Sequence, residues 1–333
     1  MASLLTGKNV LITGGSGSIG EALTKRAILE KSKLIRVFSN DENSLFEMES
    51  TYGKYQNIEF IIGDIFNEET VSKIVKNIDI VFHAAALKHV DRCELNPLET
   101  INVNLFGTKN IIKAAQNLNV KKFIFISTDK AVNPIGVMGA TKLLGEKLVS
   151  AESLNNKSNT IFSSVRFGNV FNSRGSILPR IEKQIKNGGP ITLTDKRMKR
   201  FFMTLDDAVN LIISATEIAK GGETFVLKMP LLKLEDLFDI MKELLAPKYG
   251  YSPSKIQTRI VGTRPGEKLI EYLLTQFEME RVLETKNFFI IPPLYGKKIT
   301  YPDAKKPKNV HQYFEDMKTI SKKEILNILK KLY

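Results

Sequence analysis

The sequence has little cysteine and no long apolar run, and both features limit the cellular compartments that we expect for the protein. Cys93 is the one cysteine among 333 residues, which excludes an intramolecular disulfide and fits a reducing compartment. No apolar run approaches the roughly 18 residues that cross a bilayer. The start of the chain lacks the basic region and long apolar core of a signal peptide. We therefore expect a cytoplasmic protein without membrane insertion.

The chain also lacks any concentration of its basic residues. Lysine and arginine total 49 against 36 acidic residues, which gives a formal charge of +13. They are spread along the whole chain, with no RNA-binding signature and no arginine-rich arm. Solvated surface lysines explain the excess more simply than an anionic partner does. The composition predicts no nucleic-acid partner, and a phosphate-bearing small substrate would need only a few local arginines.

A glycine-rich turn follows the first predicted strand, residues 8–13. Gly14 permits a tight turn, Gly17 lets the backbone approach a pyrophosphate, and Gly20 allows close packing of strand and helix. The helix that follows adds amide donors and a positive dipole at its start. This context predicts a dinucleotide site whose contacts are Gly14, Gly17, Ser18, Ile19 and Gly20.

The end of the second predicted strand, 33–38, bears on which dinucleotide binds. An acid at this position binds the ribose diol of NAD, whereas a basic residue accommodates the 2′-phosphate of NADP. Asn40 and Asp41 occupy the turn, and no basic residue follows before Lys54. The pattern favours NAD, while Ser39 and Asn40 leave NADP open.

Three further segments supply predicted cofactor contacts. Asp64 and Ile65 follow the third strand, 58–62, where a carboxylate could meet an adenine amine. The fourth strand, 79–86, ends in small residues that leave room for a cofactor backbone: Ala84, Ala85 and Ala86. Asn104 lies inside a long helix predicted from Asn96 to about Asn117. We expect it to brace the active-site strand and count it among the cofactor contacts.

The centre of the predicted chemistry is the stretch from Ser127 to Lys142. It follows a buried apolar strand, 123–126, and side chains just past the end of such a strand lie where α/β proteins bind ligands. Asp129 and Lys130 are adjacent there, and Lys142 lies on the first turns of a predicted helix, 139–155. An acid and two lysines at a cofactor-facing edge indicate proton transfer, with a structural ion pair between Asp129 and Lys130 as the alternative.

Candidate substrate contacts lie later in the chain. Arg200 lies in a basic segment flanked by phenylalanines, 196–202, where guanidinium groups could bind phosphate, although a solvated charge run fits the spacing equally well. Arg264 and Glu267 share a turn, as a phosphate clamp and its orienting partner. The full predicted set is Lys88, Asn169, Arg180, Arg200, Arg264 and Glu267. No metal site is predicted.

The order of elements predicts an α/β fold, a doubly wound parallel sheet of the Rossmann type with a smaller α+β C-terminal substrate domain. The length suffices for one large domain and one smaller one. We assign residues 1–170 and about 203–230 to the NAD(P)-binding domain. Residues of about 171–202 and 231–333 form the predicted substrate domain.

Six motifs together resemble the extended short-chain dehydrogenase/reductases, and within them the UDP-N-acetylglucosamine 4,6-dehydratases of polysaccharide biosynthesis. The resemblance covers nearly the whole chain, and its motifs are residues 13–20, 83–90, 127–131, 137–142, 166–170 and 264–268. It implies a UDP-N-acetylglucosamine substrate, a tightly bound and recycled NAD or NADP, and no membrane segments. We also expect a homo-oligomer.

One residue departs from the general superfamily pattern. The usual Tyr-x-x-x-Lys pair is Met138-x-x-x-Lys142 here, and methionine has no ionisable proton. The C5-retaining branch of these dehydratases is similar in carrying methionine at this position, which favours that branch. An inverting branch that also carries methionine stays open.

The resemblance implies three chemical steps. Sugar C4 is oxidised, water is eliminated across C5 and C6, and hydride returns to C6. Asp129 is the expected general acid for the C6 hydroxyl, and Lys130 the expected C5 base, held neutral by burial beside Lys142. Lys142 is expected to grip the nicotinamide ribose, and Thr128 or Asp129 to take the 4-hydroxyl proton.

Two alternatives remain from the sequence. The same scaffold also serves epimerases and simple reductases, which do not eliminate water from the sugar. The Asp129–Lys130 pair argues against both. A non-catalytic NAD(P)-sensing protein is the other alternative. The missing tyrosine would support it, whereas Asp129, Lys130 and Lys142 count against it.

Overall fold

The computed structural model describes residues 3–155, 158–296 and 299–333, and its core is one large twisted sheet. Within this part of the chain the sheet has nine strands, in the order β3 (Ile58–Ile62), β2 (Leu34–Ser39), β1 (Asn9–Thr13), β4 (Ile80–His83), β5 (Lys122–Thr128), β6 (Ile161–Phe167), β10 (Thr224–Leu227), β14 (Phe288–Ile291) and β13 (Leu283–Glu284). The first seven in this order are parallel, whereas β14 and β13 are antiparallel additions at one edge. From β1 the chain proceeds to β2 and β3 on one side, and it then crosses to β4, β5 and β6 on the other side. The switch point therefore lies between β1 and β4, and doubly wound sheets bind ligands at such a point.

The strands of the large sheet are β1 (Asn9–Thr13), β2 (Leu34–Ser39), β3 (Ile58–Ile62), β4 (Ile80–His83), β5 (Lys122–Thr128), β6 (Ile161–Phe167), β10 (Thr224–Leu227), β13 (Leu283–Glu284) and β14 (Phe288–Ile291). Two small sheets contain β7 (Asn169–Val170), β8 (Ile191–Leu193), β9 (Lys199–Met203), β11 (Leu231–Lys233) and β12 (Thr258–Ile260). The α-helices are α1 (Ser18–Leu29), α2 (Glu42–Tyr52), α3 (Glu68–Val75), α4 (Val90–Leu95), α5 (Pro97–Ile101), α6 (Thr108–Asn117), α7 (Val137–Asn155), α8 (Ile177–Lys186), α9 (Leu205–Ile218), α10 (Leu234–Leu245), α11 (Gln276–Met279), α12 (Val310–Glu315) and α13 (Lys322–Leu329).

The large sheet is covered on both faces, which explains its apolar strands. Residues 123–127 of β5 are all buried, as expected for a parallel strand with helices on each side. One face packs on α1, α2 and α9, and the other packs on α3, α6 and α7. The predicted doubly wound α/β fold is confirmed.

The long helix predicted from Asn96 to Asn117 is present but interrupted. Its middle, Asn102–Gly107, is a π-helical segment between α5 and α6. Asn104 is in this segment and is fully buried. π-Helical segments inside α-helices are frequent at functional sites, because they redirect side chains locally.

A second hydrophobic core lies apart from the sheet. It is built from α8, α10 and α13 with the small strands β8 and β9. Helix α13 begins with a capping box, since Ser321 and Glu324 satisfy each other's backbone amides. Ile325 and Leu329 of α13 are buried against this core.

Two strands near the C-terminal end of the chain return to the large sheet. Strand β14 pairs with β10, and β13 pairs with β14, so both extend the large sheet, although residues 231–333 were expected to form a separate substrate domain. The apolar side chains of β14 pack in the core beneath the sheet. The sequence does not reveal this return, because antiparallel edge strands have no distinctive pattern. Residues 1–2, 156–157 and 297–298 of the predicted domains lie outside the described residues.

Among the residues that the structure describes, we find no helix of sufficient length and apolarity for a transmembrane span.

Candidate active site

A cavity of about 660 Å³ lies at the carboxyl ends of the parallel strands. It is lined by the turns that follow β1 to β6 and by residues of the second core. This is the edge of the sheet at which doubly wound proteins bind ligands. Most of the predicted site residues line this cavity.

The glycine turn is shaped for a ligand that approaches closely. Gly14 has φ +63°, and a Cβ added there would lie 2.6 Å from the backbone nitrogen of Ala85. A Cβ on Gly20 would overlap the backbone of Gly14 and Gly15. The turn leads into α1 at Gly17, whose helix start supplies unpaired amides. The residues present therefore fit a dinucleotide, whose pyrophosphate would rest on Gly17, Ser18 and Ile19.

The turn after β2 lines one end of the cavity. Asn40 and Asp41 line it as expected. The Asp41 carboxylate already caps α2, since it accepts from the backbone nitrogen of Ser44 at 3.1 Å and from its hydroxyl at 2.7 Å. These hydrogen bonds from Ser44 lower the pKa of Asp41. Ser39 faces Ser16 at 2.7 Å between their hydroxyl oxygens.

The remaining predicted cofactor residues fall into two groups. Those that line the cavity are Asp64, Ile65, Ala84, Ala85 and Ala86, although the alanines follow β4 rather than ending it. Asn104 does not line the cavity. Its side chain donates to the Leu87 carbonyl at 3.0 Å and accepts from the Leu87 amide at 2.8 Å. It also donates to Thr141 Oγ1 at 3.1 Å. Asn104 therefore braces the turn after β4 against α7.

Arg174 crosses the cavity mouth above the glycine turn. Its guanidinium donates to the Ser16 carbonyl at 2.8 Å and to Glu21 at 3.3 Å, and its backbone nitrogen donates to Ser18 Oγ at 2.9 Å. Lys88 holds the other side of this segment, because its Nζ donates to the Arg174 carbonyl at 2.8 Å. Arg174 is not among the residues that the sequence predicted for the site.

Thr128, Asp129 and Lys130 form one hydrogen-bonded cluster at the end of β5. Asp129 Oδ1 accepts from Thr128 Oγ1 at 3.0 Å and from Lys130 Nζ at 2.9 Å. Thr128 and Lys130 line the cavity, whereas Asp129 is completely buried behind them. The other oxygen, Oδ2, accepts no hydrogen bond from the described residues. Asp129 is thus connected to the cavity through its two neighbours.

Two carboxylates act on the Lys130 ammonium. Burial alone would lower the pKa of Lys130, but the carboxylates of Asp129 and Glu271 outweigh it and raise the pKa above 10.5. Glu271 Oε1 lies 3.8 Å from Lys130 Nζ. Glu271 is distant from Lys130 in sequence, and no motif marked it as part of the site.

Lys142 has the lowered pKa instead. Burial lowers the pKa of Lys142 to about 8, against the opposing charge of Glu146. Its Nζ donates to the Ile126 carbonyl at 2.7 Å and lies 4.4 Å from the centre of the Phe125 ring. Met138 is one turn earlier on α7 and lines the same cavity. The helix therefore presents both residues to the region where the nicotinamide would bind.

Two arginines at the far end of the cavity form a cationic pair. Burial lowers the pKa of Arg180, and the charge of Arg264 lowers it further. Arg180 Nε is buried and donates to none of the described residues. Arg264 lies 3.9 Å from Asp91, and Glu267 accepts from its backbone nitrogen at 3.4 Å. Two close guanidinium groups with spare donors suit a pyrophosphate.

Asn169 and Arg200 also line the cavity, but their polar groups bind the backbone. Asn169 donates to the Phe201 carbonyl at 3.0 Å. Arg200 donates to the carbonyls of Lys199, Lys268 and Leu269 at 2.9, 2.6 and 3.0 Å. Arg200 therefore ties β9 to the segment after the 264–268 turn. Among the described residues, no group of three or more His, Cys, Asp or Glu side chains could hold a metal ion.

Comparison with known proteins agrees with this architecture. Pen from Bacillus thuringiensis, solved by X-ray diffraction, is 43% identical with a TM-score of 0.89, and the match covers 98% of each chain. The uncharacterized membrane protein MJ1061 of Methanocaldococcus jannaschii is 47% identical over 98% of this chain and 96% of its own.

Two curated relatives carry names of enzymes. A UDP-N-acetylglucosamine 4,6-dehydratase (inverting) of Campylobacter jejuni is 40% identical over 87% of this chain and 84% of its own. A UDP-glucose 4-epimerase of Rickettsia bellii is 40% identical over 88% and 85%. The family described as "Polysaccharide biosynthesis protein" matches residues 10–293. With the glycine turn, the nine-stranded sheet and Lys142 in place, the chain belongs to this family of extended short-chain dehydrogenase/reductases.

Proposed function

We propose that the protein is an NAD(P)-dependent UDP-N-acetylglucosamine 4,6-dehydratase. The observation that carries this proposal is the cluster of Thr128, Asp129 and Lys130 at the cavity wall, between the glycine turn and the paired arginines. A simple reductase needs no acid and base of this kind beside the sugar, whereas elimination of water needs both. The dehydratase name of the Campylobacter relative supports the same reaction.

The cavity offers separate places for cofactor and substrate. The glycine turn and Lys142 would hold the cofactor, and a bound nicotinamide supplies the acceptor for the C4 hydride and returns it to C6. Arg180 and Arg264 would bind the pyrophosphate of the UDP-sugar. The sugar would then lie against Thr128, Lys130 and Met138, which line the cavity between these two ends.

Thr128 and Asp129 are the proposed route for the 4-hydroxyl proton, because Met138 cannot accept it. Thr128 Oγ1 faces the cavity and already donates to Asp129 Oδ1. The threonine hydroxyl can accept a proton from the sugar and pass its own proton to the aspartate. Asp129 would then hold the proton that the departing C6 hydroxyl needs, and so act as the general acid.

Lys130 is the proposed C5 base, and protonation of Asp129 would prepare it. Asp129 exerts the larger of the two attractions that raise the pKa of Lys130. Once Asp129 is neutral, burial favours the uncharged amine, and the ammonium can release its proton to water. The free amine then takes the C5 proton that the new C4 ketone has acidified.

The experiment is incubation with UDP-N-acetylglucosamine in deuterated water, followed by NMR of the product. We expect a UDP-4-keto-6-deoxy sugar with deuterium at C5, since the base exchanges its proton with solvent. Met138 supports retention at C5, while the Campylobacter relative is named inverting, and the C5 coupling constants distinguish the two. A product that keeps its C6 hydroxyl would contradict the proposal.

An epimerase is the second candidate, because the Rickettsia relative carries that name. It would convert the substrate to its C4 epimer without loss of water. If the nucleotide sugar is unchanged while NAD(P) binds, the non-catalytic sensing role is favoured instead.

A further inference from the structure

Glu271 is a buried carboxylate beside the proposed catalytic cluster, with no role in the function described above. Its side chain is 3% exposed and lines the cavity. Oε1 lies 3.8 Å from Lys130 Nζ, and Oε2 lies 3.6 Å from Lys268 Nζ. Glu271 therefore lies between two lysines, one at the cavity wall and one behind it.

The hydrogen bonding of Glu271 is incomplete. Across residues 3–155, 158–296 and 299–333, Oε2 is buried and accepts no hydrogen bond. Buried carboxylate oxygens normally have partners, because desolvation without one is costly. Lys268 is the nearest cation to Oε2, but its Nζ lies 3.6 Å away, beyond hydrogen-bond distance, and donates to the Val132 carbonyl. Charge rather than a hydrogen-bond network thus holds this carboxylate in place.

The charges around Lys130 show what Glu271 contributes. Asp129 and Glu271 are the anions that face its ammonium, and Arg200 is the opposing cation. Lys268 lies on the far side of Glu271. Without Glu271, the buried ammonium would keep one anion and face Arg200 and Lys268 unshielded.

We propose that Glu271 is a positioning residue that shares Lys130 with Asp129 and sets the pH at which the ammonium gives up its proton. Glu271 keeps the lysine amine at the cavity wall when Asp129 is neutral. The role of Lys130 as a base rests on the proposed function, whereas the charge relation between Glu271 and Lys130 does not. The two can therefore be tested separately.

The direct test is an NMR titration of the full-length protein labelled with ¹³C at lysine Cε. The Lys130 signal is assigned by its loss in Lys130→Arg. In Glu271→Gln, which preserves shape and removes the charge, its titration midpoint should fall by about one pH unit or more. Glu271→Asp keeps the charge, so its Lys130 midpoint should lie close to that of the wild type.

Glu267→Gln is the matched control, because it removes the same charge four residues earlier on the same segment. Glu267 is a neighbour of Arg180 and not one of the charges acting on Lys130. In Glu267→Gln the titration midpoint of Lys130 should stay at the wild-type value. An unchanged midpoint in Glu271→Gln, or an equal shift in Glu267→Gln, would overturn the proposal.

Activity provides the second readout. If Lys130 is the C5 base, the acidic limb of the plot of kcat against pH should move to lower pH in Glu271→Gln. The size of this move should equal the change in the Lys130 titration midpoint. A lower kcat with an unmoved limb would mean that Glu271 is only structural. If wild-type protein eliminates no water, the proposed function fails, and the titration still decides the role of Glu271.

Discussion

Arg166 and Glu146 form a buried double hydrogen bond directly behind the active-site strand, at 3.0 Å from Nε and 2.6 Å from Nη2. Glu278 of α11 binds the opposite side of the same guanidinium at 3.0 and 2.9 Å. Glu146 also accepts from Ser127, the residue before Thr128. One arginine therefore joins β6, α7 and α11 to the strand that carries the proposed chemistry.

Arg166→Met should destabilise the protein strongly, because it leaves two carboxylates buried without their cation. Removing one partner of a buried ion pair costs about 3–5 kcal/mol of unfolding free energy. Urea denaturation measures the change. Arg197→Ala is the control, since Arg197 pairs with Asp195 at a side chain that is 73% exposed. Its denaturation midpoint should equal that of the wild type, and a similar loss in both variants would contradict the prediction.

The sequence predicted the parts of the fold that depend on local pattern. The glycine turn and the buried run of β5 each follow from neighbouring residues, and each is present. The return of β13 and β14 to the large sheet was not predicted, because the pairing of β14 with β10 brings together segments some 60 residues apart. Nothing in a short edge strand states which sheet it will join.

The site was predicted least well where distant charges meet. Asp129, Lys130 and Lys142 could be selected from one stretch, but the charge state of Lys130 depends on Glu271. Arg174 could be recognised as polar, but its contact with Ser16 links residues 158 positions apart. A pKa depends on the three-dimensional arrangement of charges, which a linear motif does not contain.

Asp129→Asn and Lys130→Ala should each abolish dehydration while the cofactor stays bound. Neither side chain contacts the glycine turn, so cofactor titration should give wild-type affinity. Loss of a positioned acid or base lowers the reaction rate by about 10²- to 10⁴-fold. Product formation is measured by mass spectrometry. Near-normal turnover by either variant would remove that residue from the mechanism.

Met138→Ala should keep substantial activity, because the thioether shapes the cavity but carries no proton. Met138 is buried at the cavity wall, and its replacement enlarges the sugar site. We expect a raised KM with kcat within about tenfold of wild type. Complete loss of kcat would show that Met138 does more than fill space.

Lys142 should make the stability of the protein depend on pH in the alkaline range. Its pKa is about 8 in the folded protein and 10.5 in its unfolded reference, so the unfolded state binds more protons between these values. Stability therefore rises with pH across this window, and the penalty of about 3 kcal/mol is fully present below pH 8. Lys142→Met lacks this dependence. The difference in unfolding free energy between the variant and the wild type should change between pH 8 and 10.5, and a constant difference would contradict the assignment.

Arg174→Ala should speed release of the cofactor, because the side chain spans the mouth of the cavity above the glycine turn. Two guanidinium contacts, with the Ser16 carbonyl and Glu21, are lost. At about 1 kcal/mol each, they correspond to an approximately tenfold or larger rise in the dissociation rate. Fluorescence of the reduced cofactor after rapid dilution measures this rate. Lys25→Ala is the control, since Lys25 pairs with the same Glu21 at 3.7 Å but does not line the cavity. If both variants release the cofactor equally fast, the effect comes from Glu21 and α1 rather than from the segment that Arg174 holds across the mouth.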